Sequence, residues 1–368
     1  MNLFALSLAL MLALVLGELL ILSVVRRASV PWREIVFNLN SGHILMWVLR
    51  GVEVFAFGLL LTHANLHWVD QWPSLFQWVF AFVAWDFCFY WMHRLHHKLP
   101  IFWSVHVVHH QGEHFNLSLG IRNSWYSSLT SFPFVAILAI LGVPLATFVV
   151  VSSIHYFVQF YNHNGLVKKS GILEKFLVTP SHHRVHHATD PIYLNLNFGG
   201  TLLIWDQLFG TFQPELDSVA MRYGVPGSTP TYNPFWANNL PFFAILNRAY
   251  SNIRSAHGQL VSDRYIVTGG IILFGLVVHY VNFEELLSGI QQLNLFALIF
   301  CGTIALGGLA DNQHWGRVSW VLLALLAPSL FFGFYGSQDG WGTLFLSLML
   351  LHGMDGLRRI LFSSIVID

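Results

Sequence analysis

Seven runs of about twenty apolar residues dominate this chain, and each is long enough to cross a bilayer as a helix. They are 2–24, 43–63, 72–92, 266–283, 291–310, 318–335 and 341–361. A weaker pair, 128–141 and 145–162, is joined by Gly142-Val143-Pro144. Its first member is short and holds Pro133, so the pair reads either as two spans or as one re-entrant hairpin. In hydrocarbon, every backbone polar group must find its partner inside the chain, and for segments of this kind only helices achieve that. The first run has no basic residue before it and is of full span length, so it reads as a span and not as a cleaved signal.

Composition agrees. Only 10% of the 368 residues are charged, against about 25% in soluble domains. The expected fold is therefore all-α, a polytopic integral membrane helical bundle. A formal net charge of +0 argues against a nucleic-acid partner. Cys88 and Cys301 both lie in apolar runs, which leaves neither a disulfide framework nor a thiolate metal site.

Positive charge orients the bundle. Arg26, Arg27 and Arg33 follow the first span, Arg94 and Lys98 the third, and Lys168, Lys169 and Lys175 the hairpin. Arg317, Arg358 and Arg359 join the same side if the N-terminus is outside. The opposite loops (64–71, 142–144, 284–290 and 336–340) hold no Lys or Arg. The basic side reads as cytoplasmic. The chain then divides into N-terminal spans (1–71), a core (72–215), a cytoplasmic loop segment (216–264) and a C-terminal transmembrane block (265–368). Residues 214–241, rich in Pro, Gly and Asn, read as loop.

The core concentrates histidine. Thirteen of the 20 histidines lie between His93 and His187. Three clusters stand out: His93-Arg94-Leu95-His96-His97, His106-Val107-Val108-His109-His110 and His183-Arg184-Val185-His186-His187. Offsets of three and four place side chains on one helix face. Neutral imidazole is the commonest protein metal ligand. All three clusters fall at span ends on the cytoplasmic side, which predicts a histidine-rich metal-binding cap. Imidazole suits iron, and two irons could activate O2 against an unactivated C–H bond, which organic side chains cannot do. A lipid substrate would keep its apolar body in the bilayer while one carbon reaches the metals.

The clusters follow the pattern H-x(3)-H, H-x(2)-HH, H-x(2)-HH, and across about residues 80–215 the chain resembles the sterol desaturase and fatty acid hydroxylase superfamily. His106 to Ser118, Thr179 to His187, Asn197-Phe198-Gly199-Gly200 and Trp205 to Phe212 are most similar to its alkylglycerol monooxygenase branch. The resemblance implies that His93, His97, His106, His109, His110, His183, His186 and His187 are metal ligands, and adds His163 at the end of the preceding membrane helix. It also implies two iron ions, an ether lipid substrate and a tetrahydropterin reductant. The chain departs from the branch at Gln111-Gly112, where small Ser residues are usual, and at Gly120-Ile121-Arg122-Asn123, where Ala-Leu-Arg-Gln is usual. Both departures lie near the expected access route.

His96 and His182 adjoin candidate ligands but point about 100° away on a helix, and read as lying behind the ligands or facing solvent. His155 lies two turns before His163, and His114 one turn after His110. Two carboxylates are candidates for a catalytic role. Glu113, three residues past His110, could orient an imidazole through its free N–H. Asp86, seven residues before His93, is a costly group inside a span. A surface glutamate and a helix-packing hydrogen bond are the plain alternatives. Spacing assigns no role to Asn116 or Asp206. Trp103, Phe115, Trp125 and Tyr126 could line an acyl channel or simply pack.

The reading is an O2-dependent membrane monooxygenase that hydroxylates a lipid of ether, fatty acyl or sterol type. A desaturase would begin with the same hydrogen abstraction. No nucleotide or iron–sulfur motif occurs, so electrons come from a separate donor. A metal transporter would line its spans with histidines, whereas here they gather at one side. A zinc hydrolase would need His-Glu-x-x-His, which does not occur. The short chain and the lack of a retrieval signal point to a bacterial inner membrane over the endoplasmic reticulum.

Overall fold

The computed structural model describes residues 2–41, 43–228, 231–245, 261–337 and 340–362, and among them the fold is all-helical. Chain order begins with α1 (Leu3–Val24), α2 (Trp32–Asn40), α3 (His43–His63) and α4 (Ser74–Lys98). The centre holds α5 (Pro100–His110), α6 (Ser127–Ile140), α7 (Leu145–Asn162), α8 (Pro180–His187), α9 (Ile204–Leu208) and α10 (Pro234–Ile245). The C-terminal block is α11 (Asp263–Phe283), α12 (Gly289–Ala310), α13 (His314–Tyr335) and α14 (Gly340–Phe362). One isolated bridge pairs Leu177 with Leu202.

Among the described residues, six stretches are long and apolar enough to cross a membrane: α1, α2 with α3, α4, α11 with the turn after it, α12 and α13. The protein is a multi-pass membrane protein. The expected span 341–361 does form a helix, α14, but it falls outside that set, as do α6 and α7. The stretch expected as loop from 214 to 241 is partly helical, because Pro234 opens α10 and Pro241 sits within it. Proline is tolerated in a first turn, where its missing N–H would be unpaired anyway. Residues 246–260 of the expected loop segment lie outside the described residues.

Two packed cores flank the centre. One joins α1, α2, α11, α12, α13 and α14 around Leu19, Leu273, Trp320 and Met349. The other joins α3, α4, α6 and α7, where Phe57 stacks on Phe148 at 4.0 Å. Large side chains such as Leu10 and Leu14 on α1 and Leu326, Leu330 and Phe334 on α13 stay exposed, as lipid-facing sides require. Between helices in lipid, close packing and buried hydrogen bonds hold the assembly. Trp320 Nε1 donates to His352 Nδ1 (3.1 Å), and Tyr265 Oη donates to the His352 carbonyl (3.0 Å).

Prolines decide where the histidine helices start. Leu99 is extended (φ −102°, ψ 123°) between α4 and Pro100 at the head of α5. A residue before proline is pushed out of the helical region, so the chain turns there and the first two clusters face each other. Thr179 is likewise extended (φ −124°, ψ 172°) before Pro180, which opens α8.

Candidate metal centre

Four elements deliver nine imidazoles to one place. The end of α4 gives His93 and His97, α5 gives His106, His109 and His110, the C-cap of α7 gives His163, and α8 gives His183, His186 and His187. They sort into two groups. Site A comprises His93, His97, His106, His110 and His186; site B comprises His109, His163, His183 and His187. Within each, one nitrogen per residue lies within 4.8 Å of every other. The sites adjoin along stacked rings, His110 on His187 (centroids 4.3 Å) and His183 on His186 (5.4 Å).

Backbone carbonyls fix which nitrogen points inward. Nδ1–H of His93 donates to Phe198 O (2.9 Å), of His109 to Arg122 O (2.8 Å), of His163 to Gln159 O (2.7 Å) and of His186 to Leu196 O (3.0 Å). A carbonyl can only accept, so these four rings carry their proton on Nδ1 and a bare lone pair on Nε2. This is the usual outer support of a metal-bound histidine.

The inner contacts then test whether a cation fits. His109 Nε2 and His163 Nε2 stand 3.1 Å apart, with both protons committed elsewhere. Two lone pairs at that distance repel unless a positive ion lies between them. His163 Nε2 also stands 3.0 Å from His183 Nε2 and 3.2 Å from His187 Nε2. In site A the matching separations are 2.9 Å (His93–His106), 3.2 Å (His106–His110) and 3.1 Å (His110–His186). Neighbouring nitrogens around one ion, each bound at about 2.1 Å, lie about 3.0–3.4 Å apart. His97 Nε2 is buried without a partner. The residues present fit two metal ions held by nitrogen alone.

Burial keeps these rings neutral, hence able to bind metal. It pushes His109 down to about 4 and His186 down to about 3. It holds His106, His110, His163, His183 and His187 well below the usual imidazole range, and neighbouring imidazoles lower them further.

The neighbours fall elsewhere. His96 donates from Nδ1 to Met92 O (2.7 Å), and its Nε2 meets Thr130 Oγ1 (2.9 Å). His182 packs edge-on against Phe212 at 5.3 Å. His155 meets Thr201 Oγ1 at 3.1 Å, and His114 pairs with Glu34 at 2.8 Å.

The two carboxylates singled out from the sequence lie outside both imidazole groups. Glu113 is exposed, and no hydrogen bond joins its carboxylate to an imidazole among the described residues; its own backbone N–H is held by Glu34 (3.1 Å). Asp86 is fully buried and occupied by the N–H groups of Thr201 (2.8 Å), Leu202 (3.0 Å) and the Trp205 indole (2.8 Å). It tethers a loop.

Other carboxylates do comparable work that spacing could not reveal. Glu18 on α1 takes the N–H groups of Leu117 and Gly165, both at 2.6 Å, and so ties together two segments that meet beside Phe115. Asp206 takes those of Phe198 (2.8 Å) and Gly199 (2.7 Å). Asn116 accepts from Ser118 N (3.0 Å), capping the turn 117–121. Trp103 packs beside site A, 5.1 Å from His97 and 5.5 Å from His110. Phe115 packs beside site B, 5.6 Å from His163 and 5.7 Å from His187, with Tyr223 stacked on it at 5.3 Å. Trp125 and Tyr126 instead hydrogen-bond Ser41 O (2.7 Å) and Asn239 Oδ1 (2.9 Å).

Residues 78–211, which carry every one of the nine histidines, match the fatty acid hydroxylase family. The chain is similar to the alkylglycerol monooxygenase of Danio rerio, 36% identical over 231 residues, covering 62% of this chain and 50% of the relative. It is also similar to the alkylglycerol monooxygenase of Homo sapiens, 38% identical over 170 residues (46% of this chain, 37% of the relative). The ornithine lipid hydroxylase of Rhizobium tropici is 34% identical over 172 residues (45% and 51%). The chain spans about half the length, or less, of these curated relatives. No solved structure matches it.

Proposed function

Residues 78–211 belong to the fatty acid hydroxylase family, and from that premise we propose that this chain is a membrane-bound, O2-dependent di-iron monooxygenase hydroxylating a lipid C–H bond. The observation that carries the reading is the convergence of nine imidazoles into two nitrogen-only groups, four of them locked by carbonyls with Nε2 inward. His93, His97, His106, His110 and His186 would hold one iron, and His109, His163, His183 and His187 the other. Bound there, two irons supply the redox chemistry that activates O2 toward an unactivated C–H bond.

The chain's own residues contribute position and exclusion. The carbonyls of Phe198, Leu196, Arg122 and Gln159 hold each Nδ1 proton on the outer edge of its ring. Phe198 (5.3 Å from His97), Trp103 and Phe115 wall the sites with apolar surface, excluding water and admitting an apolar chain. Asp86 keeps the 201–202 backbone against α4, where it supports the wall instead of touching substrate.

The substrate proposed is an ether lipid, because several relatives are alkylglycerol monooxygenases. Electrons come from a separate donor, proposed as a tetrahydropterin on the same resemblance. The clustering of Lys and Arg on the side of the histidines supports a cytoplasmic metal site with the N-terminus outside. A bacterial inner membrane is the proposed location.

The test is direct. Protein purified in detergent is assayed for iron, then given an alkylglycerol lipid, tetrahydropterin and 18O2. Two irons per chain and one 18O in the lipid product are expected. Full iron with no oxidised lipid from ether, fatty acyl or ornithine lipids, under any donor, overturns the enzyme reading. A new double bond without 18O would make the chain a desaturase.

A further inference from the structure

Between α8 and α9 the chain runs as a strap, residues 196–201, along the outer edge of site A. We propose that Asp206, with Asn197, sets the ligand geometry of site A and leaves site B untouched. This inference rests on the reading that site A holds a metal.

The strap supplies the outer partner of two site A ligands, Phe198 O for His93 and Leu196 O for His186. The orientation of each carbonyl is set through its own peptide plane. A trans peptide holds C=O and the following N–H rigidly opposed. The Phe198 carbonyl therefore shares a plane with Gly199 N–H, and that N–H donates to Asp206 Oδ2 at 2.7 Å. Asp206 grips one end of the peptide while His93 uses the other. The Leu196 carbonyl shares a plane with Asn197 N–H, which donates to Thr211 O at 2.8 Å. Thr211 is in turn held by Asp206, through Thr211 N–H to Asp206 O (2.8 Å) and Thr211 Oγ1 to Asp206 Oδ1 (2.7 Å).

Asn197 completes the brace. It sits at φ 55°, a left-handed conformation that asparagine tolerates and most residues do not. Its Nδ2 donates to His182 O (3.0 Å) and Gln213 O (2.8 Å), and its Oδ1 accepts from Gln213 N–H (2.8 Å). Both residues are buried, Asp206 at 0% and Asn197 at 1% exposure, so water cannot replace the bonds they make. Site B draws its outer partners elsewhere, from Arg122 O for His109 and, within α7, from Gln159 O for His163. A disturbance of the strap should reach one metal and not the other.

Asp206→Asn puts an amide N–H₂ where a carboxylate oxygen faced a backbone N–H, and the 198–199 peptide must tilt. Metal-free protein in detergent is titrated with Co2+, followed by visible absorbance, in competition with a chelator. Wild-type protein should show two binding phases. In Asp206→Asn one phase should weaken by about 10–100-fold, the range for loss of an outer-sphere partner, while the other stays put. Adding His163→Ala, which removes a site B ligand, should leave the weakened phase as the tighter of what remains. Thr211→Val, which removes a single hydroxyl from the brace, should shift the same phase by less, and serves if Asp206→Asn does not fold. Both phases unchanged, or both weakened alike with the metal-free melting temperature intact, overturns the proposal. The titration uses no lipid or reductant, so a shifted site A phase in a protein that oxidises no lipid would sink the proposed activity and leave this inference standing.

Discussion

His163→Ala puts the centre to its hardest test, because its effect should change with metal. The imidazole is 2% exposed, and its Nε2 lies 3.0, 3.1 and 3.2 Å from the nitrogens of His183, His109 and His187. Truncating a large buried side chain costs about 2–5 kcal/mol in an ordinary core. Here the metal-free protein should lose less, about 1–2 kcal/mol on the same scale, because the truncation also relieves the lone-pair contact with His109. With metal the balance reverses. A site filled at about 100 times its Kd stabilises by about 2.7 kcal/mol, so two sites give the wild type about 5 kcal/mol and the variant keeps only the share of site A, about 3 kcal/mol. Denaturation in detergent, with and without added Fe2+ under anaerobic conditions, reads both quantities, and metal analysis should fall from two ions per chain to one. A metal-induced stabilisation as large in His163→Ala as in the wild type would refute the placement of His163 in site B. A metal-free loss of 5 kcal/mol or more would refute the lone-pair contact between His109 and His163 as the source of the smaller cost.

The remaining expectations follow from the same geometry. His97→Ala and His183→Ala should each lose one metal ion, whereas His96→Ala and His182→Ala, whose rings are engaged with Thr130 and Phe212, should retain two by metal analysis. Gly200→Ala would bring a Cβ within 2.7 Å of Phe89 Cδ1 and 2.9 Å of Asp86 Oδ1; overpacking of this kind costs about 1–3 kcal/mol, visible as a lowered denaturation midpoint. Acid should destabilise the metal-free protein. His109, neutral in the fold with its pKa pushed down to about 4, takes up a proton near pH 6.5 once unfolded. Between those values the unfolded state binds the extra proton, so stability falls as pH drops from about 6.5 toward 4, by up to about 3 kcal/mol for this group alone. A stability flat between pH 7 and 4 would contradict a buried neutral cluster.

Much of the candidate centre was legible because its imidazoles obey helical periodicity. Offsets of three and four within α5 and α8 carry the side chains to one face whatever the rest of the chain does, and the same periodicity turns His96 and His182 aside. His163 is different in kind. It lies just past the last turn of α7, with no second histidine one turn away to mark it, and resemblance supplied what spacing could not.

The outer supports resist a sequence reading for a physical reason. Four of the nine imidazoles are oriented by backbone carbonyls, a group that every residue owns, so no residue type advertises the role. What the sequence does display is the machinery that aims two of those carbonyls, Phe198 O and Leu196 O, namely Asn197 in a left-handed turn, Gly199 and Gly200 where a Cβ would strike Asp206, Asp86 and Phe89, and Asp206 itself. Glu113 and Asp86 attract attention because a carboxylate near a histidine cluster suggests an ionic partner. Yet a second negative charge buried beside neutral imidazoles is costly, whereas a carboxylate that accepts several backbone N–H groups is compensated where it stands. Asp86 and Asp206 each accept two such donors and one from a side chain, the Trp205 indole N–H and the Thr211 hydroxyl respectively, and both serve the same loop. Asp86 and Asp206 therefore act on the histidine cluster at one remove, by holding backbone, and the atoms that converge in the two groups are all nitrogen.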